Sequence, residues 1–362
     1  MTHNKIGAGM TETGKDWGKR VFLPDHYQSY LSFRDTETAI KKIKDSFQAR
    51  LTNALDLSRV SAPLVVLQSS GINDYLCGWE KPAGFYITDM GETGEVVQSL
   101  AKWKRNALAD YEFKPGEGLY TDMNAIRPQE DLDYLHSLYV DQWDWERVMH
   151  PTERNLGFLK MIVRHIYQAL VETEREICAM YPVLPKPYLP DDIYFIHSQD
   201  LEDAYPDLSP KERENQICEK YGAVFVIGIG HPLQSGNKHD DRATDYDDWI
   251  SENEDGYRGL NGDILVWNSM LGQAFEISSM GIRVNAEALL QQLDLKAENH
   301  KKTWPYQQKL LSGQLPQSIG GGLGQSRICM LLLRKVHVGE VQASIWPDDM
   351  IRICKEAGIP LL

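Results

Sequence analysis

The run Gly320-Gly321-Gly322-Leu323-Gly324-Gln325-Ser326-Arg327 constrains this chain more than any other stretch. Glycine carries no Cβ, so its backbone can approach a flat or phosphorylated ligand closely. Residues 328–333 follow at once, are apolar, and read as a buried helix. A glycine strip therefore leads into a helix N-terminus, with Arg327 in the first turn. Free N–H groups and the helix dipole favour an anion there, and a guanidinium can grip a phosphate or lie over an aromatic base. Alone, the run reads more readily as a glycine-rich loop with a surface Arg. Two upstream elements of nucleotide-binding type, in a consistent order, give it meaning.

The chain has 362 residues, 42% of them hydrophobic, enough for a large core. No long Pro/Ser/Gly linker, repeat or low-complexity tract divides it. We expect an N-terminal extension over residues 1–30 and a single domain over 31–362. A net charge of −14 argues against general nucleic-acid binding or a membrane-surface role. No apolar run approaches the ~20 residues a bilayer span needs. Residues 1–14 are polar and glycine-rich, without an export or transit signal. The five cysteines are scattered and form no CxxC pair, which fits buried thiols in the cytoplasm.

From about Thr36, apolar residues Ile40, Ile43, Phe47 and Leu51 recur at helical spacing, predicting a helix that ends near Leu55. Residues 60–67 read as one apolar strand, and Pro63 places it at a sheet edge or an interface. Residues 83–147 read as strands joined by short turns. A long helix is predicted over 152–180, stopped by Pro182. Ser209-Pro210-Lys211-Glu212 is a capping box that opens a helix ending at Gly222. Residues 223–227, 262–267 and 274–284 read as strands. Strands cluster and helices fall between the clusters. The expected class is therefore α+β, a central antiparallel β-sheet flanked by helices, not a doubly wound fold.

Several motifs fail. Residues 9–16 nearly match a P-loop, but Asp16 stands where Ser or Thr should ligate magnesium, and Glu12 would repel a phosphate. No GxGxxG, GxSxG or HExxH occurs. The ten histidines form no zinc-ligand pair, and His165 and His197 read as ordinary core or surface residues.

The first upstream element is Ala125-Ile126-Arg127-Pro128-Gln129-Glu130-Asp131, a strand that delivers Arg127 and turns through an acidic loop. The returning strand runs from His136 to Glu146. Side chains alternate, so His136, Gln142, Asp144 and Glu146 share one face, and Ser137, Tyr139, Asp141, Trp143 and Trp145 the other. The polar face reads as a pocket floor or as a solvated sheet face. The second upstream element spans residues 275–283. There Glu276 and Ser278 share a face and could hold a phosphate-bound Mg²⁺, with Asp263 as a second acidic group and Arg283 adding positive charge.

Together these elements resemble the class II aminoacyl-tRNA synthetase catalytic domain. In that order a helix and Pro-bearing strand at a dimer interface precede a strand-loop-strand with one Arg, then a strand and glycine-led helix with another. The closer resemblance is to the ammonia-dependent asparagine synthetases (aspartate–ammonia ligases). It is carried by Ser99-Leu100-Ala101-Lys102-Trp103-Lys104-Arg105, Glu117-Gly118-Leu119-Tyr120, and residues 139–148, 260–268, 278–284 and 319–327. Residues 1–30 and Gln68-Ser69-Ser70-Gly71 depart from it.

The resemblance implies a homodimer that converts L-aspartate, ATP and ammonia to L-asparagine, AMP and pyrophosphate through a β-aspartyl-adenylate. It implies Arg127 on the α-phosphate, Arg327 on the adenine or γ-phosphate, and Mg²⁺ on Glu276 and Asp263. Lys104 would hold a carboxylate of aspartate, and Asp74 its ammonium group or the incoming ammonia. Gln142, Asp144, Asp247 and Ser279 would line the aspartate side. Ser137, Ser278, Arg283, Gly322 and Gly324 would line the ATP side. The chemistry independently asks for such positive charges, because two anions must meet. Thr2, and the lack of a GxCxG turn, speak for free ammonia over glutamine. The acidic stretch 240–255 reads more readily as a solvated loop than as an ammonium trap.

Two other readings stand beside this one. An aspartyl- or asparaginyl-tRNA synthetase would share the adenylate chemistry, but no anticodon-binding module or basic stripe is evident. A non-catalytic paralogue that binds an amino acid or nucleotide would have lost catalytic charges, whereas Arg127, Glu276 and Arg327 remain.

Overall fold

The computed structural model describes residues 16–76 and 80–362. All of the P-loop look-alike except Asp16 lies outside the described residues, as does Cys77. The described part of the expected extension, residues 16–30, is not loose from the domain: Trp17, Val21 and Tyr27 are buried in the main core, as is Leu31 after it. Helix α1 (Phe33–Leu55) starts at Ser32, whose hydroxyl accepts from the Asp35 N–H at 3.2 Å, and it buries the predicted stripe.

Residues 60–67 are not one strand. Strand β1 (Leu57–Arg59) joins a large sheet, and β2 (Val65–Leu67) joins a small one with β3 (Gly84–Ile87) and β4 (Glu92–Val96). Pro63 lies in neither ladder, and β2 is an edge strand of the order β2-β4-β3. Helix α2 (Ala101–Asp110) stands where only strands were expected. It buries Lys102, Lys104 and Arg105 in place of a continuous apolar stripe, so no strong helical hydrophobic period marks it.

The remaining elements follow in chain order: β5 (Gly118–Ile126), β6 (Tyr139–Val148), α3 (Leu156–Met180), β7 (Tyr194–His197) and α4 (Ser198–Ala204). Then come α5 (Pro210–Tyr221), β8 (Ala223–Ile227), β9 (Asn261–Asn268) and β10 (Gln273–Ile282). Last are α6 (Ala286–Leu295), α7 (Pro305–Leu311), β11 (Ser318–Gly324), α8 (Gln325–Leu332) and α9 (Asp348–Glu356). The α5 capping box is formed as predicted, whereas α3 begins later than predicted because Asn155 is its N-cap.

The large sheet has eight strands in the order β1-β5-β6-β11-β10-β9-β8-β7. Its inner pairs are antiparallel, as expected, and the outermost pair at each end is parallel. Helices α1, α3 and α8 cover one face. There Trp143 and Trp145 of β6 are fully buried, and the Phe47 ring of α1 lies 4.8 Å from that of Trp143. The glycine run is not a loop but strand β11, paired on both sides. A Cβ at Gly320 would collide with the Glu146 carboxylate and the Arg283 guanidinium, and one at Gly322 with the Gln142 amide. The glycines therefore make room for the charged and polar side chains beside them.

Candidate active site

On the other face of the sheet lies a cavity of about 340 Å³. Thirteen of the fifteen expected site residues line it: Asp74, Lys104, Arg127, Ser137, Gln142, Asp144, Asp247, Glu276, Ser279, Arg283, Gly322, Gly324 and Arg327. Gln142 and Asp144 reach it from β6 because the alternate residues Trp143 and Trp145 point into the core. His136 and Ser137 precede the strand but also line the cavity.

Arg127 follows β5, and Arg327 lies in the first turn of α8. Their side chains are 26% and 25% exposed, and among the described residues each pairs with a carboxylate only at long range, Glu130 at 3.9 Å and Glu276 at 3.7 Å. Arg127 Nη2 reaches the Gln98 carbonyl at 3.5 Å, and its Nε has no partner among the described residues. Arg327 Nη1 donates to the Glu276 carbonyl at 3.2 Å. Both guanidiniums keep donor capacity towards one cavity. The α8 N-terminus differs from its sequence reading: the Ser326 N–H already holds an internal anion, the Asp141 carboxylate, at 3.0 Å.

The floor is a buried charge network. Lys104 Nζ bonds Asp144 and donates to the carbonyls of Trp145 at 2.9 Å and Gly321 at 3.2 Å. All three of its donors are engaged, so its charge is committed to the protein and not held open for a substrate carboxylate. Burial lowers the Lys104 pKa and raises that of Asp144. Arg283 is likewise not a free cation for the nucleotide. Its Nη2 donates to Glu146 Oε2 at 2.8 Å, and its Nη1 bonds Asp247. Burial acts against the Glu146 charge, yet Arg283 and Lys104 outweigh it and hold the pKa below the usual range. Asp247 and Asp74 are pushed up, chiefly by burial, and Asp74 Oδ2 has no partner among the described residues. Two cations thus face three carboxylates, Asp144, Glu146 and Asp247, with Asp74 as a fourth acid on the cavity wall.

The two residues outside the cavity lining are Ser278 and Asp263. A register shift in β10 between Glu276 and Ser278 breaks the alternation on which a shared face depended. Phe275 and Ile277 before the shift, and Met280 and Ile282 after it, all enter the core, so Ser279 is the serine in phase with Glu276. Asp263 accepts from Arg242 Nη2 at 2.5 Å, while its Oδ1 is buried without a partner among the described residues. Burial, with the nearby Glu276 charge adding to it, lifts the Asp263 pKa to about 6 against the pull of Arg242. One orphaned carboxylate oxygen beside a half-exposed glutamate fits a divalent cation that takes its other ligands from phosphate oxygens. Among the described residues no cluster of three or more His, Cys, Asp or Glu is placed to hold a metal alone.

The acidic stretch 240–255 is solvated only in part: Asp240, Glu252, Glu254 and Asp255 are exposed, but its middle is not. Asp245, Asp247 and Asp248 are buried, and they bond Gln307, Arg283 and Arg154 respectively. Tyr246 from this stretch lines the cavity, as do Glu130 and Gln342, none of which was assigned a role from sequence; His136, read there as part of a polar pocket floor, lines it too. Glu130 and His136 lay inside a stretch already singled out. Gln342, which donates to Ser326 Oγ at 3.0 Å, carries no local signal.

A family model described as aspartate-ammonia ligase matches residues 34–358. An aspartate–ammonia ligase of Parabacteroides distasonis is 56% identical over 343 residues, 94% of this chain and 99% of that one. One from Clostridium perfringens is 55% identical over 345 residues, 95% and 100% of the two chains. Among solved structures, Entamoeba histolytica asparaginyl-tRNA synthetase in complex with asparaginyl-adenylate matches with a TM-score of 0.60 at 16% identity, over 86% of this chain and 66% of that one. The asparaginyl-tRNA synthetase from Pyrococcus horikoshii complexed with asparaginyl-adenylate gives 0.59 at 15% identity, over 86% and 70%. At such identities the likeness is one of fold, and it agrees with the class II synthetase-like sheet expected from sequence. The chain belongs to the aspartate–ammonia ligase family.

Proposed function

We propose that the cavity converts L-aspartate, ATP and ammonia to L-asparagine, AMP and pyrophosphate through a β-aspartyl-adenylate. The observation that carries this reading is the convergence of Arg127 and Arg327, both with uncommitted donors, on one cavity whose floor holds more carboxyl groups than cations. Anionic phosphates suit the arginines, and the ammonium group of an amino acid suits the floor. Arg127 takes the α-phosphate, and Arg327 the adenine or γ-phosphate. Asp74 and Asp247 take the ammonium group of aspartate or the incoming ammonia. Gln142 and Ser279 complete the aspartate side, and Ser137, Gly322 and Gly324 the nucleotide side. Lys104 and Arg283 act by fixing Asp144, Glu146 and Asp247 rather than by direct charge pairing with substrate.

The catalytic advantage lies in positioning. The aspartate β-carboxylate and the α-phosphorus are held together while arginine charge offsets their repulsion. Glu276 and Asp263 would hold Mg²⁺, which when bound adds further charge neutralisation at the phosphates. We further propose a homodimer formed through the segment around Pro63, and a reducing, cytoplasmic setting, which the four free cysteines among the described residues fit.

The test supplies aspartate, ATP, Mg²⁺ and ammonium and follows the nucleotide product. AMP with asparagine is expected. ADP, or aspartate transferred to tRNA, would overturn the reading.

A further inference from the structure

The loop between β5 and β6 carries Glu130, Leu135, His136 and Ser137 into the cavity and begins at Arg127. Its base is closed by the Arg127 N–H on the Leu138 carbonyl at 2.8 Å. Its inner turn is organised by Asp133, which accepts from the N–H groups of Leu135 at 2.7 Å and His136 at 2.8 Å. The outer arm is held from elsewhere. The Tyr134 N–H donates to the Arg20 carbonyl at 3.0 Å, and the Tyr134 carbonyl accepts from the Val338 N–H at 2.8 Å. Arg20 Nη1 donates to the Leu132 carbonyl at 3.2 Å and pairs with Asp131 at the same distance. The Phe22 and Tyr134 rings lie 5.9 Å apart.

The N-terminal segment is itself anchored to the second wall of the cavity. The Tyr27 hydroxyl donates to Glu340 Oε2 at 2.8 Å, and Glu340 Oε1 accepts from the N–H groups of Val336 at 3.0 Å and His337 at 3.2 Å. That turn supplies the cavity-lining Val338. One segment, residues 17–31, therefore ties together two of the pieces of irregular backbone that wall the cavity.

We infer that Arg20 is a positioning residue for the nucleotide half of the cavity, holding the β5–β6 loop and with it Arg127, His136 and Ser137 against the bound nucleotide. This rests on the adenylate-forming reading above. Arg20 touches no substrate in this account. It removes conformations of the loop that nucleotide binding would otherwise have to select against. A misplacement of such a wall by about 1 Å, caused far from the chemistry, is enough to impair the site.

The experiment uses the full chain with Arg20→Ala and Arg20→Lys. In Arg20→Ala the KM for ATP is expected to rise about tenfold, while the KM values for aspartate and ammonium stay within about twofold. Hydrogen exchange over residues 127–138 is expected to quicken while that of α1 and α3 stays unchanged. Arg20→Lys keeps the charge beside Asp131 but loses the planar fork, so it restores only part of the effect. It also stands in for the alanine variant should that one not fold. An equal rise in all three KM values, or an unchanged KM for ATP with unchanged exchange in the loop, would overturn the inference. Should the parent protein form no AMP, the functional reading fails, and the exchange data still decide whether Arg20 orders the loop.

Discussion

Glu146 and Arg283 form a two-point ion pair shut away from water: Nη2 donates to Oε2 at 2.8 Å and Nε to Oε1 at 3.1 Å. Ser318 Oγ adds a third donor to Oε1 at 2.7 Å. The pair links β6, β10 and β11 directly beneath the cavity. A lysine at position 283 keeps the charge but cannot span both oxygens and Asp247 as well. Arg283→Lys is therefore expected to destabilise the fold by about 3 kcal/mol in urea unfolding, in the range for leaving a buried carboxylate under-partnered. A loss below about 1 kcal/mol would show that the network relaxes around the shorter cation.

The two arginines that keep uncommitted donors should behave differently from the committed one. Arg127→Ala and Arg327→Ala each remove a charge that the protein uses little for its own stability. Both variants are expected to keep the parent's unfolding midpoint closely and to lose at least about 3 kcal/mol of transition-state stabilisation, on the order of a hundredfold in rate. Aspartate-dependent exchange of pyrophosphate into ATP measures this without ammonia. Exchange surviving in Arg327→Ala would remove that residue from the nucleotide.

Gly320 and Gly313 separate two roles of glycine. At Gly320 a methyl group has nowhere to go, because the Glu146 and Arg283 side chains fill the space. At Gly313 the space is open and only the left-handed backbone, φ +73°, opposes a side chain. Gly313→Ala should therefore cost about 1 kcal/mol. Gly320→Ala should cost about 3 kcal/mol or more, because it pushes apart a buried ion pair as well as overpacking the sheet. Equal losses in the two variants would mean that the Glu146 and Arg283 side chains yield to the added methyl group at no more cost than the backbone strain at Gly313.

Leu64, beside Pro63 at the β2 edge of the small sheet, is 54% exposed, and Tyr86 of β3, at its opposite edge, is 67% exposed. Large apolar side chains left exposed on a small sheet are what a two-fold contact would cover. If the proposed homodimer uses this face, Tyr86→Glu should shift the sedimentation profile from dimer to monomer at micromolar concentration. A monomer before substitution, or a dimer unaffected by the charge, would place the interface elsewhere or nowhere.

How much of this was legible in the sequence depended on whether a signal was local. The α1 stripe, the α5 capping box and the convergence of Arg127 with Arg327 were readable, because period, capping chemistry and motif order are properties of short segments or of family resemblance. Helix α2 was not, since it turns Lys102, Lys104 and Arg105 inward and so lacks the apolar period that marks a helix. The fates of Asp245, Asp247 and Asp248 were hidden for a related reason: their partners Gln307, Arg283 and Arg154 are far away in sequence. The register shift in β10 is set by pairing with β9, so the strand's own residues gave Ser278 the place that Ser279 occupies.

His337 is fully buried, and burial holds its pKa down at about 4, below the ordinary value of 6.5, with Asp133 pulling weakly the other way. Between those two pH values the unfolded chain binds a proton that the folded protein refuses, so stability falls as pH drops through this window and is unaffected by the group above it. The full shift is worth on the order of 3 kcal/mol. Other buried groups titrate in the same range, Asp263 with the opposite sign because its pKa is raised to about 6. The parent's own pH profile therefore does not isolate the histidine, but a difference does. Unfolding free energies of the parent and of His337→Gln, measured in urea at steps from pH 7 to pH 4, should converge as pH falls, with the parent losing about 3 kcal/mol more than the variant over the window. Parallel profiles would mean that the imidazole is protonated inside the fold, and that the Asp133 carboxylate then outweighs burial in setting its charge.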